Sequence, residues 1–131
     1  MNNSDIRWYS INTKLAVEEH EPIELDEALK IVDRYLARGS EKFKGAEEAI
    51  AATMFGFSRS KSESIEICIN GPAQISYKFE MSDPKASWFR KMFQGVFQHE
   101  EELDSREELI QKVEGFFTTP AEEIKRQLES K

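Results

Sequence analysis

Residues Ser64 to Met81 read SIEICINGPAQISYKFEM, two alternating runs around an Asn-Gly-Pro turn. Ile65, Ile67 and Ile69 alternate with Glu66, Cys68 and Asn70; Ile75, Tyr77, Phe79 and Met81 alternate with Gln74, Ser76, Lys78 and Glu80. A strand sends successive side chains to opposite faces, so each run has one apolar and one polar side. The pair buries one side only if the two apolar sides coincide, which requires an odd number of residues in the connection. Gly71-Pro72-Ala73 meets that condition, with Gly71 free to take positive φ and Pro72 ending the ladder. The resulting register sets Ile69 opposite Ile75, Ile67 opposite Tyr77 and Ile65 opposite Phe79. On the polar side Glu66 then faces Lys78 and Cys68 faces Ser76, and such an opposite-charge pair contributes ~0.2–1 kcal/mol.

Outward from this hairpin, Phe55 and Phe57 alternate with Gly56 and Ser58, and an odd loop near Lys61 sets Phe57 opposite Ile65. The expectation is a three-stranded antiparallel meander over about residues 53–59, 64–70 and 74–81. A fourth strand within 88–99 competes with a helix over 84–94 that starts with Asp83 as N-cap and Pro84 in the first turn. Trp88, Phe89, Met92, Phe93, Val96 and Phe97 fit helical spacing, while Phe89, Lys91 and Phe93 also fit strand alternation. Towards the N-terminus, residues 1–5 read as a frayed polar start. Ile11, Thr13, Leu15 and Val17 alternate with polar or small residues and predict a strand at 11–17.

Helix signals surround the meander. Asp26 is a good N-cap, with Ala28, Leu29, Val32, Tyr35 and Leu36 forming one stripe up to Arg38 and Gly39 following. Ala46 to Ala52 reads as a short helix. Ser105-Arg106-Glu107-Glu108 is a capping box ahead of Leu109, Ile110, Val113, Phe116 and Phe117. Pro120, placed at a first helical position, opens a last helix carrying Ala121, Ile124 and Leu128. The expected architecture is one α+β domain over 1–131. It has an antiparallel meander of three or four strands, with helices at 26–38, 106–117 and 120–129 packed on one face.

Composition limits the function classes. The chain has 131 residues, 39% hydrophobic and 33% charged, with a net charge of −7, which suits a packed domain and disfavours a general nucleic-acid or anionic-membrane binder. Its single cysteine forms no internal disulfide, no apolar run is long enough to span a membrane, and cytoplasmic residence is expected.

No residue set announces catalysis. His20 and His99 each sit among carboxylates, a donor mixture that suits a divalent metal, but neither has paired-histidine spacing, so neither a metal nor a cofactor is expected. Gly56-Phe57-Ser58-Arg59-Ser60 is close to the nucleophile elbow G-x-S-x-G but lacks the second glycine and lies between antiparallel strands. Cys68 falls mid-strand without a base and reads as an inert thiol. Lys30, Arg34 and Arg38, extended by Lys42 and Lys44, form a basic stripe without interleaved aromatics, which reads as a solvated helix face.

The acidic residues are uneven. Glu18 to Glu27 holds six acids and no Lys or Arg, and Glu100 to Glu108 holds six acids against Arg106 alone. Together these blocks exceed the charge of the whole chain, so the remainder is mildly basic. First-turn preference accounts for about half of them. The surplus, at Glu18, Glu19, Glu21, Glu24, Glu100, Glu101, Glu102 and Asp104, is the expected binding surface for a basic partner protein. The profile is that of a small acidic inhibitor or immunity-type protein. The alternative is a small-molecule-binding protein or small enzyme with an aromatic pocket near Trp88 and Phe93.

Overall fold

The computed structural model describes residues 5–38, 45–60, 63–71, 74–81 and 97–130. Among the described residues the strands are β1 (Arg7–Ile11), β2 (Val17–Pro22), β3 (Met54–Ser60), β4 (Glu63–Gly71), β5 (Gln74–Met81) and β6 (Phe97–Leu103). The helices among the described residues are α1 (Leu25–Arg38), α2 (Ala46–Thr53), α3 (Arg106–Thr118) and α4 (Ala121–Glu129). The class is α+β, as expected, but the sheet has six strands instead of three or four. Its order is β2-β1-β3-β4-β5-β6, and every neighbouring pair is antiparallel.

The central hairpin takes the register derived from its parity. Ile69 pairs with Ile75, Ile67 with Tyr77, Ile65 with Phe79, Glu66 with Lys78 and Cys68 with Ser76. The ladder then continues to Gly71 and Gln74 by a shift that leaves Asn70 as an extra residue. Gly71 does not use the left-handed backbone foreseen for it. In β3, Phe57 pairs with Ile65 as the alternation required.

These strands turn one continuous apolar face inward. Phe55, Phe57, Ile65, Ile67, Ile69, Ile75, Tyr77 and Phe79 are all buried, and Ala28, Ile31, Val32 and Tyr35 of α1 close over them with Leu109, Val113 and Phe116 of α3 and Ala121 of α4. Each large side chain so buried contributes about 1.5–3 kcal/mol relative to exposure. Tyr35 stacks on Phe55 with ring centroids 4.2 Å apart. Arg106, opening α3, sends Nε and one terminal nitrogen to the two carboxylate oxygens of Asp33 on α1, at 2.7 and 3.1 Å.

Several boundaries differ from expectation, each for a local reason. The strand foreseen at 11–17 is a turn flanked by two strands. Asn12 Oδ1 accepts the backbone N–H groups of Lys14 (2.9 Å) and Ala16 (3.0 Å), which reverses the chain where apolar alternation suggested extension. Helix α1 starts at Leu25, because Glu27 reaches back to the N–H of Glu24 at 3.3 Å, as the last residue of a capping box does. Pro120 is the N-cap of α4 rather than its first helical residue; its carbonyl accepts from Glu123 and Ile124. Ser105 caps α3 as foreseen, accepting from the Glu108 N–H. The fourth strand lies at Phe97–Leu103, overlapping only the end of the 88–99 window. The helix foreseen over 84–94, with Trp88 and Phe93, lies outside the described residues.

Candidate functional site

The two acidic blocks become the two edges of the sheet. Glu18, Glu19 and Glu21 lie exposed on β2, and Glu24 sits between that strand and α1. Glu100, Glu101 and Glu102 lie on β6, and Asp104 follows it, exposed. Four strands separate these edges. At ~4.8 Å per strand the blocks stand roughly 24 Å apart, so the fold keeps them separate. Charge on an edge strand also discourages pairing with other chains, which is a structural use of the same residues.

Strand pleating divides the β6 acids between the two faces. Glu100 and Glu102 pair with Lys78 and Ser76 on the polar face, where Ser76 Oγ donates to Glu102 at 3.0 Å. Glu66 on the same face stands 3.6 Å from Lys78 Nζ, and Gln98 donates to Glu80 at 3.1 Å. Glu101 points the other way, towards the helices. Its Oε2 lies 2.7 Å from Lys112 Nζ of α3 and 2.9 Å from His99 Nε2. Glu101 Oε2 and His99 Nε2 are sealed from solvent, and their approach lacks the alignment of a hydrogen bond. Burial on its own raises the Glu101 carboxyl; Lys112 and then His99 outweigh it and hold the group below the usual carboxylate range. Burial, with Glu101 adding to it, pushes the neighbouring Tyr77 hydroxyl well above the phenol range.

Beside this cluster a cleft of about 210 Å³ opens between α3 and α4, lined by Tyr77, Lys112, Gly115, Ile124 and Leu128 among others. A larger trench of about 530 Å³ lies on the polar face across β1, β2, β3 and β4. Its lining includes Asp5, Arg7, Tyr9, Ile11, Val17, Glu19 and Glu66. Tyr9 forms part of this surface because Gly56 beneath it has no side chain.

The remaining candidates are accounted for by packing. His20 stacks on Trp8 with ring centroids 3.9 Å apart, and its Nε2 lies 2.8 Å from Ser10 Oγ. Cys68 Sγ is within 3.8 Å of Thr53 Oγ1 and 3.7 Å of Asn70 Oδ1, with no base against it among the described residues. Ser58 pairs across to Ser64 and Arg7 inside the sheet. Lys30 and Arg34 are exposed, and Arg38 lies over the Tyr35 ring at 5.0 Å. Among the described residues no three His, Cys, Asp or Glu side chains converge as metal ligands, and no helix is long and apolar enough to cross a membrane.

Two features escape a reading of the sequence alone. The trench depends on a hairpin whose turn falls inside the stretch read as a strand. The His99–Glu101–Lys112 cluster had one signal: Phe97, His99, Glu101 and Leu103 share a period of two, with apolar residues at both ends. No family model matches the chain, and comparisons with curated proteins and with solved structures likewise gave no match.

Proposed function

We propose that this chain is a non-enzymatic protein-binding module that engages a basic partner through its acidic edges, in the manner of a small acidic inhibitor or immunity-type protein. The observation that carries the reading is the state of the edge carboxylates. Glu19, Glu21, Glu100 and Asp104 are exposed, and none of them forms an ion pair with a described residue. Unpaired carboxylates on a compact domain raise the association rate of a cationic partner and repel acidic competitors. Glu101 is the exception, because Lys112 and His99 already engage it.

The test is affinity capture from the native cell, using the full chain and a variant with Glu19, Glu21, Glu100 and Asp104 all changed to Lys. The unmodified chain should retain a basic protein that is released when salt rises from about 0.1 to about 0.5 M, where charge steering is screened. The variant should not retain it. Equal retention by both chains, or no basic protein enriched by the unmodified chain, rejects the reading.

A second reading, a small-molecule site, draws on the cleft beside Tyr77 and Lys112. At about 210 Å³ this cleft falls below the ~300 Å³ at which ligand pockets usually begin, so it lends the second reading little support. The aromatic pocket foreseen near Trp88 and Phe93 lies outside the described residues.

A further inference from the structure

Leu15 and Val17 are the exposed large hydrophobics of the described chain, at 51% and 61%, and both belong to the β1–β2 hairpin. The turn that presents them is held tightly. Asn12 accepts two backbone N–H groups through Oδ1, a third from Leu15 through its own carbonyl (2.9 Å), and donates its amide to Glu18 at 2.9 Å. Leu15 sits at φ 63°, a left-handed conformation that disfavours a leucine. The sequence thus accepts both strain and apolar exposure at one place.

That place borders the trench on the polar face. Ile11 and Val17 supply an apolar wall, the Tyr9 ring contributes aromatic surface, and Glu19, Glu66 and Asp5 supply carboxylates. Of the two arginines of the lining, Arg59 is turned inward, donating to the carbonyls of Phe116 and Thr119 and pairing with Glu63, whereas Arg7 is exposed, donates to the His20 carbonyl at 3.4 Å and keeps its charge at the trench. Asp5 and Glu19 have no cationic partner among the described residues. An apolar wall beside unpaired carboxylates suits a cation on an aliphatic stem, the chemistry of Lys and Arg. A second copy of this chain would bring carboxylates against carboxylates and is disfavoured.

We infer that the trench is a docking site for an extended segment of a basic protein in which Lys or Arg alternates with aliphatic residues. Such a segment lies along the strands with alternate side chains facing the sheet. It sets its inward-facing cations at Glu19 and Asp5 and lays their aliphatic stems on Ile11 and Val17, while the intervening aliphatic residues face away. This rests on the basic-partner reading and assigns it to one edge.

The test is titration of the isotope-labelled full chain with acetyl-Lys-Leu-Lys-Val-Lys-Leu-Lys-amide, following backbone amide resonances. The matching Glu-for-Lys peptide is the control. The Lys peptide should move Tyr9, Ile11, Val17 and Glu19, and the Glu peptide should move none of them. Changing Val17→Ser with Glu19→Lys should weaken the Lys peptide about fivefold or more, whereas Glu114→Lys, at an exposed position of α3, should leave it unchanged. Shifts confined to Glu100 and Glu102 on β6 would overturn the trench and leave the acidic-module reading standing. Binding nowhere would end both. Trench shifts that persist in the double variant, or that the Glu peptide reproduces, overturn the inference.

Discussion

Tyr9 lies over Gly56 on the neighbouring strand and donates its hydroxyl to the Ile65 carbonyl at 3.2 Å, so one ring crosses from β1 to β4. Burial, then Glu66 and Glu80, push that hydroxyl far above the phenol range and keep it a donor. A Cβ at Gly56 would collide with the Tyr9 ring and with the Ile65 carbonyl. Gly56→Ala should therefore destabilise the domain by about 2–4 kcal/mol, while Tyr9→Phe, which removes only the hydrogen bond, costs about 1 kcal/mol. Urea unfolding measures both. Removing the ring as well, in Gly56→Ala with Tyr9→Ala, should recover little, because the Ile65 carbonyl is backbone and cannot step aside. Full recovery would mean the ring alone sets the requirement for glycine.

Arg59 ties the sheet to the end of α3. The ladder between β3 and β4 shifts register between Ser58 and Ser60, and Arg59 occupies that irregularity. Its guanidinium donates to the carbonyls of Phe116 and Thr119, pairs with Glu63 at 3.2 Å and lies 4.8 Å from the Phe116 ring centroid. The last carbonyls of a helix lack internal partners and carry partial negative charge, so a cation there is favourable. Arg59→Ala should cost about 2 kcal/mol in urea unfolding, and Arg59→Lys should restore less than half of it, since an ammonium lacks the planar fork. Equal stability of the Lys variant and the unmodified chain would show that charge alone suffices.

The parts legible in sequence were those where period and burial agree. Ile65 to Ile69 and Ile75 to Phe79 could be placed to the residue because every second side chain in each run is apolar and every one of those is buried. The edge strands break that agreement. In β2, Val17-Glu18-Glu19-His20-Glu21-Pro22 offers no apolar alternation, since an edge strand needs little burial to hold its place. In β6, the inward positions His99 and Glu101 are ionisable, and they are accommodated by each other and by the Lys112 ammonium from α3. A partner more than ten residues away leaves no periodic trace. The Asn12 turn failed differently. A side chain bonding to its own backbone competed successfully with the extended conformation that the pattern of Ile11, Thr13, Leu15 and Val17 suggested.

The Glu101 cluster should make stability pH-dependent with a definite sign. A carboxyl held below its unfolded value stabilises the fold above the unfolded pKa and loses that contribution as pH falls through the folded one. Glu101→Gln should thus be less stable than the unmodified chain by on the order of 1 kcal/mol near neutrality, discounted for partial exposure. The gap should close as pH falls below ~4, the ordinary carboxylate range. Urea unfolding of both chains from pH ~7 to ~3 measures this. A gap that widens on acidification would mean that Lys112 and His99 do not govern this carboxyl.

Leu15 offers the last test, because stability and binding should move in opposite directions there. A leucine at φ 63° costs roughly 1–2 kcal/mol relative to a residue at ease in that region, and nothing in the turn requires the leucine side chain, since Asn12 and the backbone make its bonds. Leu15→Asn should raise stability by about 0.5–1 kcal/mol, Asn being tolerant of the left-handed region. The same change removes an exposed apolar group beside Val17, so affinity for the Lys-Leu peptide should fall by about twofold or more if that group contacts the ligand. A chain that gains stability and keeps its affinity would show that the leucine is an accident of the turn and that docking is confined to the trench itself. A chain that loses stability would show that the turn relies on Leu15 in a way its exposure does not suggest.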